Sequence, residues 1–272
     1  MSLATFLPTA RVAATYLWRH GQLPRLARPQ NYNEWVQWRK LNDRDPGLAL
    51  LTDKLHAKSL VSGLVDPSIV IPTLWHGDRL PEAAQWPMPF VVKANHGCGQ
   101  FFVVRSTQDW PAARRIAPRW LKSAYGQWLD EWHYLAARRL LLIEPFIGPE
   151  TGLPLDYKVF VFGGRAEFAQ VHLDRETNHR WVQFDRDWRQ VSKITADSIS
   201  APHCLDQMLD AAERIAAGRD HLRVDFYEHA GRLWFGEICL FPGSGLERFN
   251  PVQLDARFGA FWTRSRPLPR DS

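Results

Sequence analysis

Residues 90–105 read FVVKANHGCGQFFVVR, the most informative stretch of the sequence. Two runs rich in β-branched and aromatic residues flank a short loop with Gly97 and Gly99, a pattern that predicts a β-hairpin. Glycines in such a loop let backbone N–H groups approach an anion without interference from a Cβ atom. Lys93 ends the first run, so the segment indicates a phosphate-binding loop with a lysine at its base. The alternative is an ordinary glycine turn beside a surface lysine.

A second pair of strand-like runs, residues 222–238, reads LRVDFYEHAGRLWFGEI and carries a carboxylate in each run. Asp225 and Glu237 both lie among apolar or small neighbours. Burying a lone carboxylate costs free energy unless a nearby cation compensates its charge. Mg²⁺ accepts one or two carboxylates and fills its other positions with water and phosphate oxygens. An antiparallel register that places both acids on one face would therefore give a magnesium site. The alternative is that both acids face solvent.

Two further strand patterns lie between these hairpins. Residues 139–147 read RLLLIEPFI, and the proline after Glu144 ends the strand, so this exit is a candidate hinge that offers backbone groups to a planar base. Residues 156–162 read DYKVFVF, an alternation that places Asp156 and Lys158 on one face of a strand. Lys158 is thus a second candidate cation for a polyphosphate.

Taken in order, these segments resemble the ATP-grasp superfamily and, within it, the TupA-like family related to teichuronopeptide synthesis. The resemblance runs from about Pro29 to Gly259. It is carried by PQNYNEWVQWRKLNDRDP with Thr52-Asp53-Lys54, FVVKANHGCG, LLIEPFI, LDYKVFVFGG, VHLDR with FDRDW, RVDFY and FGEICLFPGSG. It implies an α+β ATP-grasp fold whose two lobes enclose ATP and Mg²⁺. It also implies ligase chemistry, in which ATP phosphorylates a carboxylate and an amine captures the acyl phosphate.

The resemblance assigns residues to the nucleotide. Lys93 resembles the lysine that reaches the α- and β-phosphates, and the stretch His96, Gly97 and Gly99 resembles the mobile loop that covers the triphosphate. The adenine hinge would begin at the end of the strand and comprise Glu144, Phe146 and Ile147.

The same resemblance assigns the reacting end of the site. Lys158 resembles a second triphosphate lysine, and Arg175 resembles a cation near the transferred phosphoryl group, so both are candidate catalytic residues. Asp225 and Glu237 resemble the metal ligands. One position departs from the pattern, because Cys239 stands where many superfamily members have an asparagine that completes a second metal site. A thiol is a poor ligand for Mg²⁺.

The periodicities predict three regions and a tail. A helical N-terminal segment would span residues 1–65, the first lobe residues 66–142 and the second lobe residues 143–260, with a tail at 261–272. Within the second lobe, residues 205–217 predict a helix with one apolar face, and Gly218 is a suitable residue to end it.

Composition predicts a cytoplasmic enzyme without a transmembrane segment. The 272 residues are 45% hydrophobic and 23% charged, enough to bury a large core, and the three cysteines lie far apart. The net charge of +5 and 13 tryptophans raise the alternative of a nucleic-acid surface. However, the arginines are dispersed and no nucleic-acid recognition motif accompanies them, so we expect anionic small molecules or polymers as ligands and no nucleic-acid partner.

These observations lead to one main functional hypothesis and two alternatives. The first is an ATP-dependent carboxylate–amine ligase that acts through an acyl phosphate in bacterial surface polysaccharide or teichuronopeptide-type biosynthesis. Its substrates would be ATP, a small-molecule or polysaccharide carboxylate, and an amine. The alternatives are an ATP-grasp phosphotransferase and a non-catalytic nucleotide-binding component of polysaccharide assembly.

Overall fold

A computed structural model describes residues 3–123, 125–193 and 199–266. Four helices come first: α1 (Leu3–His20), α2 (Tyr32–Asn42), α3 (Pro46–Leu50) and α4 (Lys54–Leu64). The first sheet and its helix follow, with β1 (Trp75–Gly77), β2 (Phe90–Ala94), β3 (Phe101–Val104), α5 (Trp110–Lys122) and β4 (Leu141–Pro145). The rest comprises β5 (Asp156–Phe162), β6 (Arg165–Leu173), β7 (Arg180–Asp185), α6 (Leu205–Ile215), β8 (His221–His229), β9 (Arg232–Cys239) and α7 (Gln253–Ser265).

The strands form two antiparallel sheets, one in each lobe. The first has the order β1-β4-β2-β3, and the second has the order β7-β6-β5-β8-β9. Helices together with antiparallel sheets confirm the predicted α+β class. The predicted hairpin of residues 90–105 is present as β2 and β3, in which Lys93 is the Cα partner of Phe101.

Strand β4 belongs to the first lobe. Its residue Ile143 pairs with Val92 of β2 and with Trp75 of β1, so β4 lies inside the first sheet. The boundary predicted after residue 142 is therefore wrong, and the first lobe continues to Pro145. The apolar run of β4 forms strand pairs on both sides, which explains why residues 141–144 are all buried.

The N-terminal helices are part of the core of the second lobe. Tyr32 and Trp35 of α2 are 2% and 0% exposed, and Tyr32 meets the ring of Phe160 on β5 edge-on at 5.8 Å. Trp35 stacks on Trp262 of α7, with ring centroids 5.8 Å apart and an interplanar angle of 13°. Helix α7 extends to Ser265, so residues 261–265 are helical and do not form part of a tail as predicted. The remaining residues of the predicted tail from 267 to 272 lie outside the described part of the chain.

Helix α6 follows its sequence pattern. Its buried residues include Met208, Ala212 and Ile215, which recur on one face, and the helix packs against β5, β6 and β8. Gly218 adopts a φ of +74° just after the last turn, a conformation that glycine tolerates and other residues rarely adopt.

Two further observations concern the described residues as a whole. None of their helices combines the length and the hydrophobicity that crossing a membrane would require. The three cysteines, Cys98, Cys204 and Cys239, are free thiols.

Candidate functional site

A cleft lies between the two sheets and contains about 920 Å³ of empty space, counting the part open to solvent. Its walls come from the loop after β2, the chain that leaves β4, and one end of β5, β8 and β9. Nine of the residues predicted from sequence line it: Lys93, Gly97, Gly99, Phe146, Ile147, Lys158, Arg175, Asp225 and Glu237. The structure therefore brings together side chains that are up to 144 positions apart, from Lys93 to Glu237.

Asp225 and Glu237 face each other across the β8–β9 pair. They are direct Cα partners, and the register shifts immediately after them, so that Phe226 pairs with Phe235 and Gly236 is the extra residue of a bulge. A Cβ atom on Gly236 would lie 3.0 Å from the carbonyl oxygen of Asp225, which explains the glycine at this position. The two carboxylates share one face of the sheet, as the magnesium hypothesis requires.

Buried cations hold the carboxylate of Asp225. Arg223 donates from Nε to Oδ1 at 2.7 Å and from Nη2 to Oδ2 at 2.8 Å, and Lys158 donates to Oδ2 at 2.6 Å. Asp225 is 2% exposed, and burial alone would raise its pKa, but Arg223 and Lys158 lower that pKa to about 2. Asp225 is thus ionised; its Oδ2 accepts two hydrogen bonds, whereas Oδ1 accepts one and retains a lone pair for a further ligand.

Lys158 is shared between two carboxylates, since its ammonium also donates to Asp156 at 2.7 Å. Arg223 was not among the predicted site residues. The Arg-Val-Asp sequence contained the signal, because residues two apart on a strand project to the same face and a guanidinium can bind a carboxylate through two nitrogens.

Glu237 is more accessible than its partner. Its side chain is 25% exposed, Lys54 Nζ lies 3.1 Å from its Oε2, and the thiol of Cys98 lies 3.8 Å from its Oε1. Burial and the charge of Asp225 would raise the pKa of Glu237, but the charges of Lys54, Lys158 and Arg223 together lower it. In turn, the negative charge of Glu237, together with burial, raises the pKa of Cys98 to about 11.

Lys54 reaches the cleft from the N-terminal segment, which sequence reasoning did not anticipate. It is the first residue of α4, and its ammonium also donates to the carbonyl oxygen of Gly97 at 2.7 Å. Asp53 caps this helix by accepting a hydrogen bond from the His56 N–H at 3.0 Å, and it also accepts one from Arg138 Nε at 3.0 Å. The Thr52-Asp53-Lys54 triplet belongs to the family resemblance, but its residue types alone indicate no role in the cleft.

On the first lobe, Lys93 is positioned by Glu144. Lys93 Nζ lies 2.6 Å from Glu144 Oε2, and Lys58 of α4 donates to the other carboxylate oxygen. Burial of Glu144 would raise its pKa, but Lys93 and Lys58 together lower it, so the carboxylate is ionised between two cations.

The side chain of Glu144 does not line the cleft, and the residues that follow it do. The N–H of Phe146 donates to the carbonyl oxygen of Pro89 at 3.1 Å, so that particular donor is engaged within the first lobe. Glu144 therefore marks the start of the predicted hinge, while its carboxylate acts on Lys93.

His96 does not reach the cleft, contrary to its predicted place in the phosphate loop. It is 1% exposed and does not line the cavity, and its Nε2 lies 3.0 Å from the carbonyl oxygen of Trp120 on α5. Burial lowers the pKa of His96, which favours the neutral ring. The physical reason is that the ring is buried against α5, where the backbone carbonyl of Trp120 is its hydrogen-bond partner, so His96 does not belong to the nucleotide set.

Arg175 lies at the rim of the cleft. It follows Asp174, which has a φ of +48°, and its Nη1 lies 3.5 Å from Asp156 Oδ2. The side chain is 22% exposed, which leaves part of its guanidinium accessible to a ligand.

The charges of the site favour an anion. Six cationic side chains meet four carboxylates at the cleft and in the ion pairs that support it, so the cluster carries a net charge of +2. The cations are Lys54, Lys58, Lys93, Lys158, Arg175 and Arg223, and the carboxylates are Glu144, Asp156, Asp225 and Glu237. In a partly buried cleft such a surplus attracts a polyphosphate strongly.

The donor set fits one Mg²⁺ that arrives with a nucleotide. Among the described residues, no three His, Cys, Asp or Glu side chains form a metal cage. Mg²⁺ does not need one, since it is often held by one or two carboxylates together with substrate phosphates, and Asp225 and Glu237 supply such a pair. Cys239 does not fit a second ion, because burial raises the pKa of its thiol and keeps it protonated.

Comparisons with known proteins concern the family and the fold of the chain. The model of the family described as TupA-like ATPgrasp matches residues 34–263. Among solved structures, the L-amino acid ligase from Bacillus licheniformis aligns with a TM-score of 0.50 and 12% identity, over 80% of this chain and 50% of that one. The D-alanine–D-alanine ligase from Bacillus anthracis complexed with ATP aligns with a TM-score of 0.45 and 12% identity, over 78% and 61%.

The ATP-grasp ligase PsnB complexed with a minimal precursor gives a TM-score of 0.44 and 15% identity, over 82% of this chain and 63% of that one. The chain therefore spans between half and two thirds of the length of these three solved structures. No curated protein matches the sequence.

Proposed function

The chain belongs to the TupA-like ATP-grasp family and has the ATP-grasp fold, and from this premise we propose that it is an ATP-dependent carboxylate–amine ligase. It would phosphorylate a carboxylate with ATP, release ADP, and let an amine displace phosphate from the acyl phosphate. The observation that carries the proposal is the cluster of cations and paired carboxylates at the cleft between the two sheets. Such a set of charged groups suits phosphoryl transfer, because its catalysis consists mainly of positioning the substrates and stabilising the charge of the transition state.

ATP would lie between the glycine loop and the second sheet. Lys93 is held by Glu144 at the edge of the cleft, where it is suited to the α- and β-phosphates, and Phe146 and Ile147 offer apolar contact to the base. Gly97 and Gly99 line the cleft, and Gly99 has a φ of +68°, so the loop backbone can come close to phosphate oxygens.

Mg²⁺ would be held by Glu237 and Asp225, and when bound it would neutralise charge on the phosphates. Lys158 and Arg175 are the candidate catalytic residues, because both line the cleft and both contact Asp156, which fixes their positions. Their charges would stabilise the phosphoryl group as it moves from ATP to the carboxylate.

The biological setting that we propose is cytoplasmic synthesis of a bacterial surface polysaccharide or of a teichuronopeptide-type polymer. The family match supports this setting. The positive surplus of the cleft suits an anionic acceptor such as a uronic acid as well as the nucleotide. A second candidate, an ATP-grasp phosphotransferase, is favoured by Cys239, because the buried thiol does not support a second metal ion.

Nucleotide binding tests the site. Lys93→Ala and Lys158→Ala should each weaken Mg·ATP binding by about tenfold or more in calorimetry, because each removes a charged donor from a partly desolvated cleft. Lys122→Ala is the matched control, since Lys122 is an exposed lysine at the end of α5 and away from the cleft. Unchanged ATP affinity in both cleft variants would contradict the assignment.

Products test the reaction. A ligase should form ADP and phosphate in proportion to amide when it is given ATP, a panel of uronic acids and a panel of amines, and hydroxylamine should trap the acyl phosphate as a hydroxamate. A phosphorylated acceptor that accumulates without amide would favour the phosphotransferase. AMP and pyrophosphate would exclude both.

A further inference from the structure

Helix α1 turns an apolar stripe toward solvent. Between residues 7 and 20 every exposed residue of this helix is apolar, and these residues are Leu7, Ala10, Ala14, Leu17 and Trp18. Steps of three or four positions put them on one face of the helix, a stripe about 100° wide. Leu7, Leu17 and Trp18 are 60%, 44% and 79% exposed. A surface helix ordinarily turns polar and charged side chains to water, so this face is suited to an apolar partner.

The rest of the protein fixes the orientation of this stripe. Val12 and Tyr16, on the opposite side of α1, are 3% and 0% exposed, so the helix already packs on the fold through its other face. Arg11 Nε donates to Asp130 Oδ2 at 2.8 Å, which ties the middle of the helix to the chain before β4. Turning the stripe inward would expose Tyr16 and break this ion pair. The stripe is therefore a fixed outer surface of the folded chain.

Positive charge adjoins the stripe. Residues 1–33 contain four arginines and no lysine, aspartate or glutamate, so they carry +4 of the chain's net charge of +5. Arg25 Nε lies 3.9 Å from Glu34 Oε1, and the side chain of Arg25 remains 52% exposed. At the end of α1, Arg248 Nη2 donates to the carbonyl oxygen of Arg19 at 2.7 Å, which adds a further arginine there. An apolar face beside basic residues matches a partner surface that is both apolar and anionic.

We propose that α1 binds the surface of a membrane that contains anionic lipids and lies along it with the stripe toward the acyl chains. Trp18 would sit at the level of the headgroups, where tryptophan is favoured, and Leu7 and Leu17 would enter the boundary of the acyl chains. The arginines would meet lipid phosphates. A second copy of this chain fits the stripe less well, because it would bring two segments of charge +4 face to face. The stripe lies outside the cleft, so this proposal stands independently of the proposed function.

Flotation of the full chain with lipid vesicles tests the proposal. The wild type should float with vesicles of phosphatidylcholine and phosphatidylglycerol, and its binding should weaken when phosphatidylglycerol is omitted or salt is raised. The double variant Leu17→Gln/Trp18→Gln should bind the mixed vesicles about tenfold more weakly or less, because it removes the apolar contact. Leu50→Gln/Leu74→Gln is the matched control, since these leucines are 46% and 38% exposed outside α1, and it should bind as the wild type does.

Fluorescence quenching tests whether Trp18 itself enters the membrane. Vesicles of the same composition made with brominated acyl chains should quench part of the tryptophan fluorescence of the wild type. Trp18→Phe keeps an aromatic ring at this position and should still float, but it should lose most of that quenching. Equal quenching in Trp18→Phe and the wild type would show that another tryptophan meets the lipid, and would overturn the assignment to α1.

The remaining outcomes are equally decisive. Failure of the wild type to float with either kind of vesicle, or equal flotation of Leu17→Gln/Trp18→Gln and the wild type, would overturn the proposal. A wild-type dimer in light scattering that dissociates in this double variant, without flotation of the wild type, would assign the stripe to a second copy and also overturn it. Mg·ATP binding without vesicles should be the same in the double variant and the wild type, which shows that the variant is folded. If neither binds Mg·ATP, the proposed function fails while the membrane proposal is still decided by flotation.

Discussion

Replacing Asp225 should destabilise the fold itself, in addition to removing a proposed metal ligand. In Asp225→Asn, Arg223 would lose the anionic partner of its two short hydrogen bonds, while Lys158 would retain Asp156. Removing one member of a buried ion pair typically costs about 3 to 5 kcal/mol. The lowered pKa of about 2 agrees in sign and in order of magnitude, since one pKa unit corresponds to about 1 kcal/mol. We therefore expect a loss of about 3 kcal/mol at neutral pH.

The pH dependence gives a second measurement of the same quantity. Because the folded-state pKa of Asp225 is depressed, its contribution to stability is present above the unfolded-state pKa near 3.8 and is lost as the pH falls toward about 2. The difference in unfolding free energy between the wild type and Asp225→Asn should therefore shrink across that interval. Urea denaturation at neutral pH and at several acidic pH values provides the data.

Glu237→Gln is the matched control for this experiment. The side chain of Glu237 is 25% exposed and its ion pair with Lys54 spans 3.1 Å, so solvent screening should limit the loss to about 1 kcal/mol or less. A cost below about 1 kcal/mol for Asp225→Asn, or an equal cost for the two variants, would refute the reasoning that Asp225 is held by buried cations.

Two further predictions concern the reactivity of a thiol and the space around two glycines. Glu237→Gln should speed the alkylation of Cys98 by iodoacetamide at mildly alkaline pH, because the neighbouring carboxylate raises the pKa of the thiol. Lys54→Met should slow the same reaction, because the charge of that lysine lowers the pKa of the thiol. Site-resolved mass spectrometry measures both rates, and rates equal to that of the wild type would contradict the electrostatic account. Gly245→Ala should cost more unfolding free energy in urea than Gly218→Ala. Both glycines have positive φ, and placing alanine in that conformation should cost about 1 to 2 kcal/mol of unfolding free energy at either site. At Gly245 the new Cβ would also lie 2.5 Å from Gln37 Nε2 and 2.8 Å from the Asn33 carbonyl oxygen. At Gly218 the new Cβ would have no atom within 4 Å. Equal costs would show that the close contacts at Gly245 relax freely.

The elements with a strong local pattern could be predicted from sequence. The hairpin of residues 90–105, the helix that begins at residue 205 and the facing strands of Asp225 and Glu237 all follow from periodicity and turn residues. Lys158 and Asp156 share a face because alternation along a strand is a property of the backbone. In these cases the local pattern and the tertiary structure agree.

The features that depend on tertiary contacts could not be predicted in this way. Nothing in the sequence around Lys54 indicates that it meets Glu237, which is 183 positions away, because the path of α4 between the lobes decides that contact. His96 lies beside the loop glycines in sequence, yet its ring is buried and is hydrogen-bonded to the carbonyl oxygen of Trp120 on α5, a contact that only the tertiary structure shows. Strand β4 joins the first sheet because its apolar run fits between β1 and β2, a choice of partners that periodicity leaves open.

The packing of α2 into the second lobe has a practical consequence for truncated versions of this protein. A chain cut to begin at residue 66 would retain every strand of both sheets, yet it would expose Trp262 and Phe160 where Trp35 and Tyr32 now cover them. Exposed aromatic surface of this kind promotes aggregation, so such a fragment should express as insoluble material. Supplying residues 1–65 as a separate polypeptide during refolding should rescue its solubility, and limited proteolysis of the intact chain should leave α2 uncut while the second lobe remains folded.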